Sequence, residues 1–397
     1  MKFLLLLFAL STMAFSTVAQ RKVNVEREMA FAQAQYELML KKHTDTTQFP
    51  QSVKEDGTLD TRLSNWWCSG FFGGALWYIY EYAKEDKWKE AAHRWTMAVA
   101  EEKYNKRTHD LGFMLYCPFG NGYRLTNNEE YKDIMLVGAE SLSSRFDEQV
   151  GLIKSWNDWK KYPGVYDYVV IIDNMMNLEF LFWASKVSGD KKYYDLSIAH
   201  ADNTIKHHFR DDYSSYHVVC YDSENGDVVA KKTAQGYADE SAWARGQAWA
   251  LYGYVMTYRE TQDTKYLRQA EEIAKFMLNH PNLPEDKVAY WDFDAPNIPN
   301  EEKDVSAAAI MASALLELSS MTNNNNYFTV AEDILVSLSG PAYRSKLDEN
   351  QHFILMHSVG NKPSGTEIDT PIIYADYYYL EALLRYDNLT KEEGRQR

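Results

Sequence analysis

The sequence predicts an all-α fold, an (α/α)6 barrel of the six-hairpin toroid kind, and three observations predict it. Apolar residues recur at helical spacing through about twelve segments, with almost no alternating strand pattern. These segments alternate between amphipathic ones with charged faces and ones that are apolar nearly all round. Acidic residues recur near the start of the second kind, at Asp110, Asp173, Glu240, Asp304 and Asp369, spaced by 63, 67, 64 and 65 residues.

The predicted helices cover 24–43, 70–84, 86–105, 109–117, 128–147, 172–188, 190–209, 240–260, 263–279, 303–320, 326–340 and 371–388. A helix apolar on every side must be buried on every side, so the Gly-, Ala-, Met- and aromatic-rich ones form an inner ring. The amphipathic ones form an outer ring. They share a weak repeat, an aromatic followed one turn later by a small residue: Trp88 with Ala91 and Ala92, Tyr193 with Ser197, Tyr266 with Ala270, Tyr327 with Ala331. Six hairpins of one period close into a barrel whose one end collects the N-termini of the inner helices. A solenoid of hairpins is the alternative, with an open groove in place of a pocket. Without a Pro/Gly/Ser-rich linker or a low-complexity stretch, residues 20–397 read as one catalytic domain.

Residues 1–19 read as a secretory signal peptide: Lys2, an apolar run from Leu4 to Leu10, then small residues up to Ala19. The expected location is therefore the periplasm. No later stretch has the roughly 18 to 20 apolar residues of a membrane span. A net charge of −15 excludes nucleic acid and anionic membranes as partners, since both reward clustered Lys and Arg. Cys68, Cys117 and Cys220 are too few and too scattered for a disulfide framework or zinc site and read as buried thiols. Eleven Trp and twenty-nine Tyr exceed the needs of one core, and sugar pockets use such rings as flat apolar platforms.

Four segments are too polar or too aromatic for the mouth of such a barrel: Asn65 to Gly74, Thr108 to Phe113, Ser155-Trp156-Asn157 with Val170 to Asn177, and Gln235 to Trp249. Each has an ordinary reading. Asp110 and Asp173 fit helix N-caps, His109 fits a structural histidine, and Arg245 on an apolar helix needs an acidic partner that the protein itself can supply. Together they form a constellation of two carboxylates on neighbouring inner helices, an Arg and a Gln able to hold a carboxylate, two His and several Trp. Paired carboxylates in an aromatic pocket suit acid chemistry on sugars. The Arg points to an acidic sugar.

At these residues the sequence resembles the unsaturated glucuronyl hydrolases of glycoside hydrolase family 88. The resemblance is carried by Trp67 with Gly70-Phe71, His109-Asp110, Ser155-Trp156-Asn157, Ile171-Ile172-Asp173-Asn174-Met175-Met176-Asn177, Tyr213-Ser214 with His217, and Gln235-Gly236 through Arg245 to Trp249. It implies an (α/α)6 barrel with no metal or organic cofactor. The implied partners are unsaturated disaccharides or short oligosaccharides left by chondroitin, hyaluronan or heparin/heparan lyases. It further implies that Asp173 is the general acid and base and Asp110 the second carboxylate. Trp67, His109, Trp156, His217, Gln235, Arg245 and Trp249 become the substrate-binding shell. Trp66 and Trp159 rival Trp67 and Trp156 as the stacking rings.

The chemistry fits an enol ether. A lyase product has a C4=C5 double bond with the ring oxygen on C5, so protonation at C4 places positive charge on C5 and that oxygen. Water then adds at C5, and one carboxyl serves first as acid and then as base. Three other readings share the constellation: an unsaturated rhamnogalacturonyl hydrolase acting on pectin fragments, a conventional inverting glycosidase, and a non-catalytic glycan-binding protein.

Overall fold

The computed structural model describes residues 23–322 and 324–396; the expected signal peptide, 1–19, lies outside them. Twelve α-helices are described: α1 (Val25–Lys42), α2 (Ser69–Ala83), α3 (Asp86–Met97), α4 (Asn121–Thr126), α5 (Glu129–Ser143), α6 (Leu178–Ser188), α7 (Lys191–His208), α8 (Ala244–Thr261), α9 (Thr264–Asn279), α10 (Val305–Met321), α11 (Asn325–Leu338) and α12 (Ile373–Gln396). They form the predicted (α/α)6 barrel. The inner ring consists of α2, a π-helix at Gly112–Gly120 continued by α4, a 3-10 turn at Ile172–Asn177 continued by α6, then α8, α10 and α12. Helices α2 and α12 pack on each other and close it, with Phe71 against Tyr377 and the Tyr78 hydroxyl on Glu381 at 2.7 Å.

The two rings differ as the sequence leads one to expect. Residues Ala244 to Thr257 of α8 are buried on every face, as are Val305 to Leu316 of α10. On the outer helices the repeated aromatics Trp88, Tyr193, Tyr266 and Tyr327 are all buried, pinning each helix by its first turn. Helices α5, α7, α9 and α11 open on Asn128, Asp190, Asp263 and Asn324, whose side chains accept the N–H two residues on. The inner helices α2, α6 and α8 have no side-chain cap. Their first turns meet at one end of the bore, where polar partners must come from elsewhere.

Several boundaries differ from expectation. The segment read as one helix over 86–105 breaks after Met97 and resumes as a 3-10 turn at Ala100–Tyr104. The helix expected at 109–117 is the π-helix, and α8 begins at Ala244 rather than 240. A Cβ on Gly70 would lie 2.1 Å from the Phe113 carbonyl oxygen, so this glycine lets α2 press directly on the π-helix.

Seven short strands are also present: β1 (Phe49–Val53), β2 (Leu59–Arg62), β3 (Phe146–Asp147), β4 (Leu152–Ile153), β5 (Tyr168–Ile171), β6 (Val218–Tyr221) and β7 (Val228–Lys232). They pair antiparallel as β1-β2, β3-β4 and β5-β6-β7. Alternation could not reveal β5 and β6, because Tyr168-Val169-Val170-Ile171 and Val218-Val219-Cys220-Tyr221 are buried on both faces and read as continuous apolar runs. The five periodic acids also part company. Asp110 and Asp173 lie at the mouth and Asp304 is buried beneath it, whereas Glu240 is exposed and Asp369 is an exposed partner of His357. Cys68, Cys117 and Cys220 are free and buried. No helix of the described residues is long and apolar enough to cross a membrane.

Candidate active site

Strand β5 runs into the mouth and hands the chain to the 3-10 turn carrying Asp173. The run Ile171 to Asn177 works as a joint. Ile171 N–H donates to Ser155 Oγ at 2.9 Å, and Asn174 Nδ2 reaches the Ile153 carbonyl at 2.6 Å and Ser155 Oγ at 3.2 Å. Asn177 Nδ2 donates to Asn174 Oδ1 at 2.8 Å, while Asn177 Oδ1 accepts the Gly112 N–H at 2.8 Å. One hydrogen-bonded chain thus ties the Asp173 turn to the helix that follows Asp110, so the two carboxylates are placed by the same network.

Neither aspartate is an N-cap. Asp173 lies inside the 3-10 turn with no capped amide, and the helix after Asp110 is capped by Asn177. Asp173 is 8% exposed, and its Oδ2 is buried without a hydrogen-bond partner. Burial raises its pKa to about 7; Arg245 opposes this, Asp110 adds to it, and the Trp249 indole opposes it weakly. The indole Nε1 is close enough to act on the charge but is itself outside hydrogen-bond geometry. Asp110 has its Oδ2 bonded by Thr108 Oγ1 at 2.6 Å, and His109 Nε2 stands 3.1 Å from its Oδ1.

His217, on the edge leading into β6, brings its Nε2 to 3.8 Å from Asp173 Oδ2. Its ring stacks on Trp243 at 4.3 Å between centroids, and Trp156 meets it edge-on at 6.2 Å. Trp159 is buried 5.6 Å behind Trp156 and backs it, so Trp156 is the ring beside the histidine. Trp67 packs among Phe71, Phe113 and Tyr374 at the base of the mouth. Trp66 is 41% exposed, with the Arg62 guanidinium 5.2 Å over its ring. Trp249 is buried against Phe113 and Tyr378, below the carboxylate rather than spread as a platform.

Arg245 has a different occupation from the one expected. Its guanidinium, 1% exposed, gives Nη1 to Asp304 Oδ2 at 3.0 Å and to the Val359 carbonyl, and Nη2 to the Gly360 carbonyl at 2.7 Å and Gln235 Oε1 at 2.9 Å. Four internal acceptors hold its Nη atoms, while its Nε is buried without a hydrogen-bond partner. A buried guanidinium needs this many partners, and the mouth supplies them first. Gln235 turns its carbonyl to Arg245, which leaves its amide NH2 as the group facing a ligand.

Three supporting residues have roles that sequence reasoning does not assign them. Asp304 was seen only as a helix opener, yet it both caps α10 through Ser306 and pairs with Arg245. Trp243 lies between His217 and Arg245, whose Cζ is 4.5 Å from its ring. Asp292 accepts the Tyr237 N–H at 2.9 Å and Ser241 Oγ at 2.7 Å, fixing the loop that carries Gln235. The cluster Tyr290-Trp291-Asp292-Phe293-Asp294, polar and aromatic in a non-helical stretch, was the signal available for it.

A cavity of about 550 Å3 occupies the other end of the bore, lined by Glu179, Glu381, Arg259 and Arg385 among tyrosines. Its charges answer one another, Arg259 pairing with Glu179 and Arg385 standing 3.5 Å from Glu381. The chemistry therefore belongs to the mouth, where carboxyl and imidazole atoms are left without partners.

Residues 39–389 match Glycosyl Hydrolase Family 88. The chain is 45% identical over 368 residues to an unsaturated glucuronyl hydrolase of Formosa agariphila, covering 92% of this chain and 91% of that one. It is 34% identical to an unsaturated chondroitin disaccharide hydrolase of Streptococcus pneumoniae, covering 85% and 86%. A crystal structure of an unsaturated glucuronyl hydrolase specific for heparin superposes with a TM-score of 0.90 at 47% identity, covering 92% of this chain and 98% of that one. A barrel mouth with a protonatable buried carboxyl beside a second carboxylate, on a chain matched to this family for nearly its whole length, identifies the protein as a glycoside hydrolase belonging to glycosyl hydrolase family 88.

Proposed function

We propose that the enzyme removes a 4,5-unsaturated uronic acid from the non-reducing end of glycosaminoglycan lyase products by hydrating the C4=C5 enol ether. The observation that carries this reading is Asp173: a buried carboxyl raised to about 7, with one oxygen unpartnered at the mouth. At neutral pH a large share of it is protonated and able to donate to C4. The resulting carboxylate then takes a proton from the water that adds at C5. The hemiketal opens and releases the partner sugar. Asp110, its Oδ2 held by Thr108 Oγ1, accepts the ring hydroxyls in this reading. The Gln235 amide and the Trp67 and Trp156 rings complete the shell, and Arg245 acts through Gln235, holding its amide in place.

Heparin- and heparan-derived disaccharides are the preferred substrates in this reading, supported by the greater identity to the heparin-specific relative than to the chondroitin one. The expected periplasmic location rests on residues 1–19 alone. A side-by-side assay of heparin, chondroitin and pectin lyase products, followed by loss of the double bond's ultraviolet absorbance, tests the reading. Fastest loss on heparin products supports it; turnover confined to pectin products contradicts it.

A further inference from the structure

The two histidines of the mouth make opposite contacts with the main chain. His217 Nδ1 faces the backbone N–H groups of Ala234 and Gln235, each at 3.2 Å. Only a bare ring nitrogen accepts a hydrogen bond, so its proton sits on Nε2. His109 Nδ1 faces the Ser155 carbonyl oxygen at 2.9 Å, and Arg145 Nη2 donates to the same oxygen at 3.0 Å. A carbonyl only accepts, so here Nδ1 carries a proton.

Both Nε2 atoms are buried and neither has a hydrogen-bond partner. Each faces a different carboxyl, His217 at 3.8 Å from Asp173 Oδ2 and His109 at 3.1 Å from Asp110 Oδ1. Buried polar atoms are rarely left unpaired without a reason, and at an open mouth a substrate or its water can supply the partner. Burial lowers both rings from the ordinary histidine value, His217 well below it, where Arg245 and Lys161 add to the effect. At His109, Asp110 opposes that shift and Arg145 adds to it. His200 also faces His109, and His208 faces His217.

We propose that His217 works as a neutral imidazole with its proton on Nε2, a tautomer fixed by the main chain. His217 donates its Nε2–H to the oxygen of the attacking water and positions it against Asp173. This rests on the hydration reading above. In the second step the water sits within reach of His217 Nε2 and Asp173 Oδ2, with one O–H directed at Asp173 Oδ2. Its lone pair forms the bond to the cationic C5, the O–H bond breaks, and the proton passes to the Asp173 carboxylate. His217 keeps its own proton throughout, so Asp173 alone returns to the acid form and the site is ready for the next substrate.

Nitrogen-15 NMR of the histidine-labelled full-length enzyme without substrate tests the tautomers. The expected spectrum shows His217 protonated at Nε2 only, unchanged between about pH 6 and 8, and a proton on His109 Nδ1. A proton on His217 Nδ1, or titration of that ring in this window, overturns the proposal. Kinetics test the positioning role. In His217→Asn the amide oxygen can still accept the Ala234 and Gln235 N–H groups but no donor remains at the Nε2 place. In His217→Gln an amide nitrogen occupies that place. We expect kcat to fall about a hundredfold in the Asn variant, as for loss of one preorganised donor, and to recover partly in the Gln variant. KM and the alkaline limb of the pH profile should stay put. A raised KM with intact kcat makes His217 a substrate holder and overturns its assignment to water. Failure to turn over any lyase product would sink the functional reading, while the NMR result would still decide the tautomers.

Discussion

Two aspartates in this barrel are pushed by burial to about 7, and only one of them is at the active site. Asp376, on α12, accepts the Ile354 and Leu355 N–H groups at 2.8 and 2.9 Å and the Tyr36 hydroxyl at 3.3 Å. Asp173, at the mouth, has Oδ2 buried with no partner. The shift is the same and its cause is the same. The difference is that Asp376 spends its oxygens on holding the 353–355 segment against α1 and α12, whereas Asp173 keeps one for something not in the protein. A perturbed carboxyl marks a functional site only when its hydrogen bonds are left open.

The comparison can be broken most severely at Asp173 itself. Asp173→Asn should lower kcat by about 10²–10⁴-fold, the range acid-base catalysis supplies. Asp376→Ala should leave kcat per folded molecule within about twofold, while stranding three donors and lowering unfolding stability by about 2–4 kcal/mol. Equal catalytic losses in both variants would erase the distinction. Steady-state kinetics and denaturant melts on the same samples read both quantities.

Arg245 comes next. It faces Asp173 with charge and Asp304 with hydrogen bonds. Arg245→Met strands the Asp304 carboxylate and should cost about 3–5 kcal/mol in chemical denaturation. The alkaline limb of kcat/KM, expected near pH 7 because Asp173 must be protonated, should then move to higher pH. An unmoved limb would remove Arg245 from the electrostatics of the acid.

A smaller effect appears in stability against pH. The folded-state pKa of Asp173 lies above its unfolded value of about 3.9. The native protein therefore holds the extra proton between those values, and that stabilisation is fully present below the lower one and lost as pH rises through about 7. Asp173→Asn cannot ionise, so relative to wild type it should gain about 1–3 kcal/mol on going from pH 5 to pH 8. No difference between the two pH values would contradict the burial cost assigned to this carboxyl. Smallest of all, Trp66→Ala should change stability by less than about 0.5 kcal/mol, as for an exposed side chain, and Trp67→Ala by more.

Much of this was legible in the sequence because it is local. The hairpin rhythm, the aromatic that pins each outer helix, and the spacings His109-Asp110, Ile171 to Asn177 and Gln235 through Arg245 to Trp249 are all short-range patterns. What escaped depends on residues far apart in the chain. Arg245 finds Asp304 fifty-nine positions away, so no helical-face argument could say whether its acidic partner was protein or ligand. Asp292 supports a loop more than fifty residues earlier. Strands β5 and β6 are short, doubly buried runs, which periodicity does not separate from helix. The π-helix escaped for a further reason: close packing on Gly70 and the cap from Asn177 come from other elements.

The most direct test of the central claim is the fate of the double bond during turnover of a lyase-made heparin disaccharide in heavy water. If Asp173 protonates the alkene, NMR of the released uronate must show deuterium at C4 and no C4=C5 double bond, and added methanol must trap a methyl ketal at C5. A product that keeps its double bond and carries the methyl group at C1 would contradict hydration and make Asp110 and Asp173 a conventional glycosidase pair.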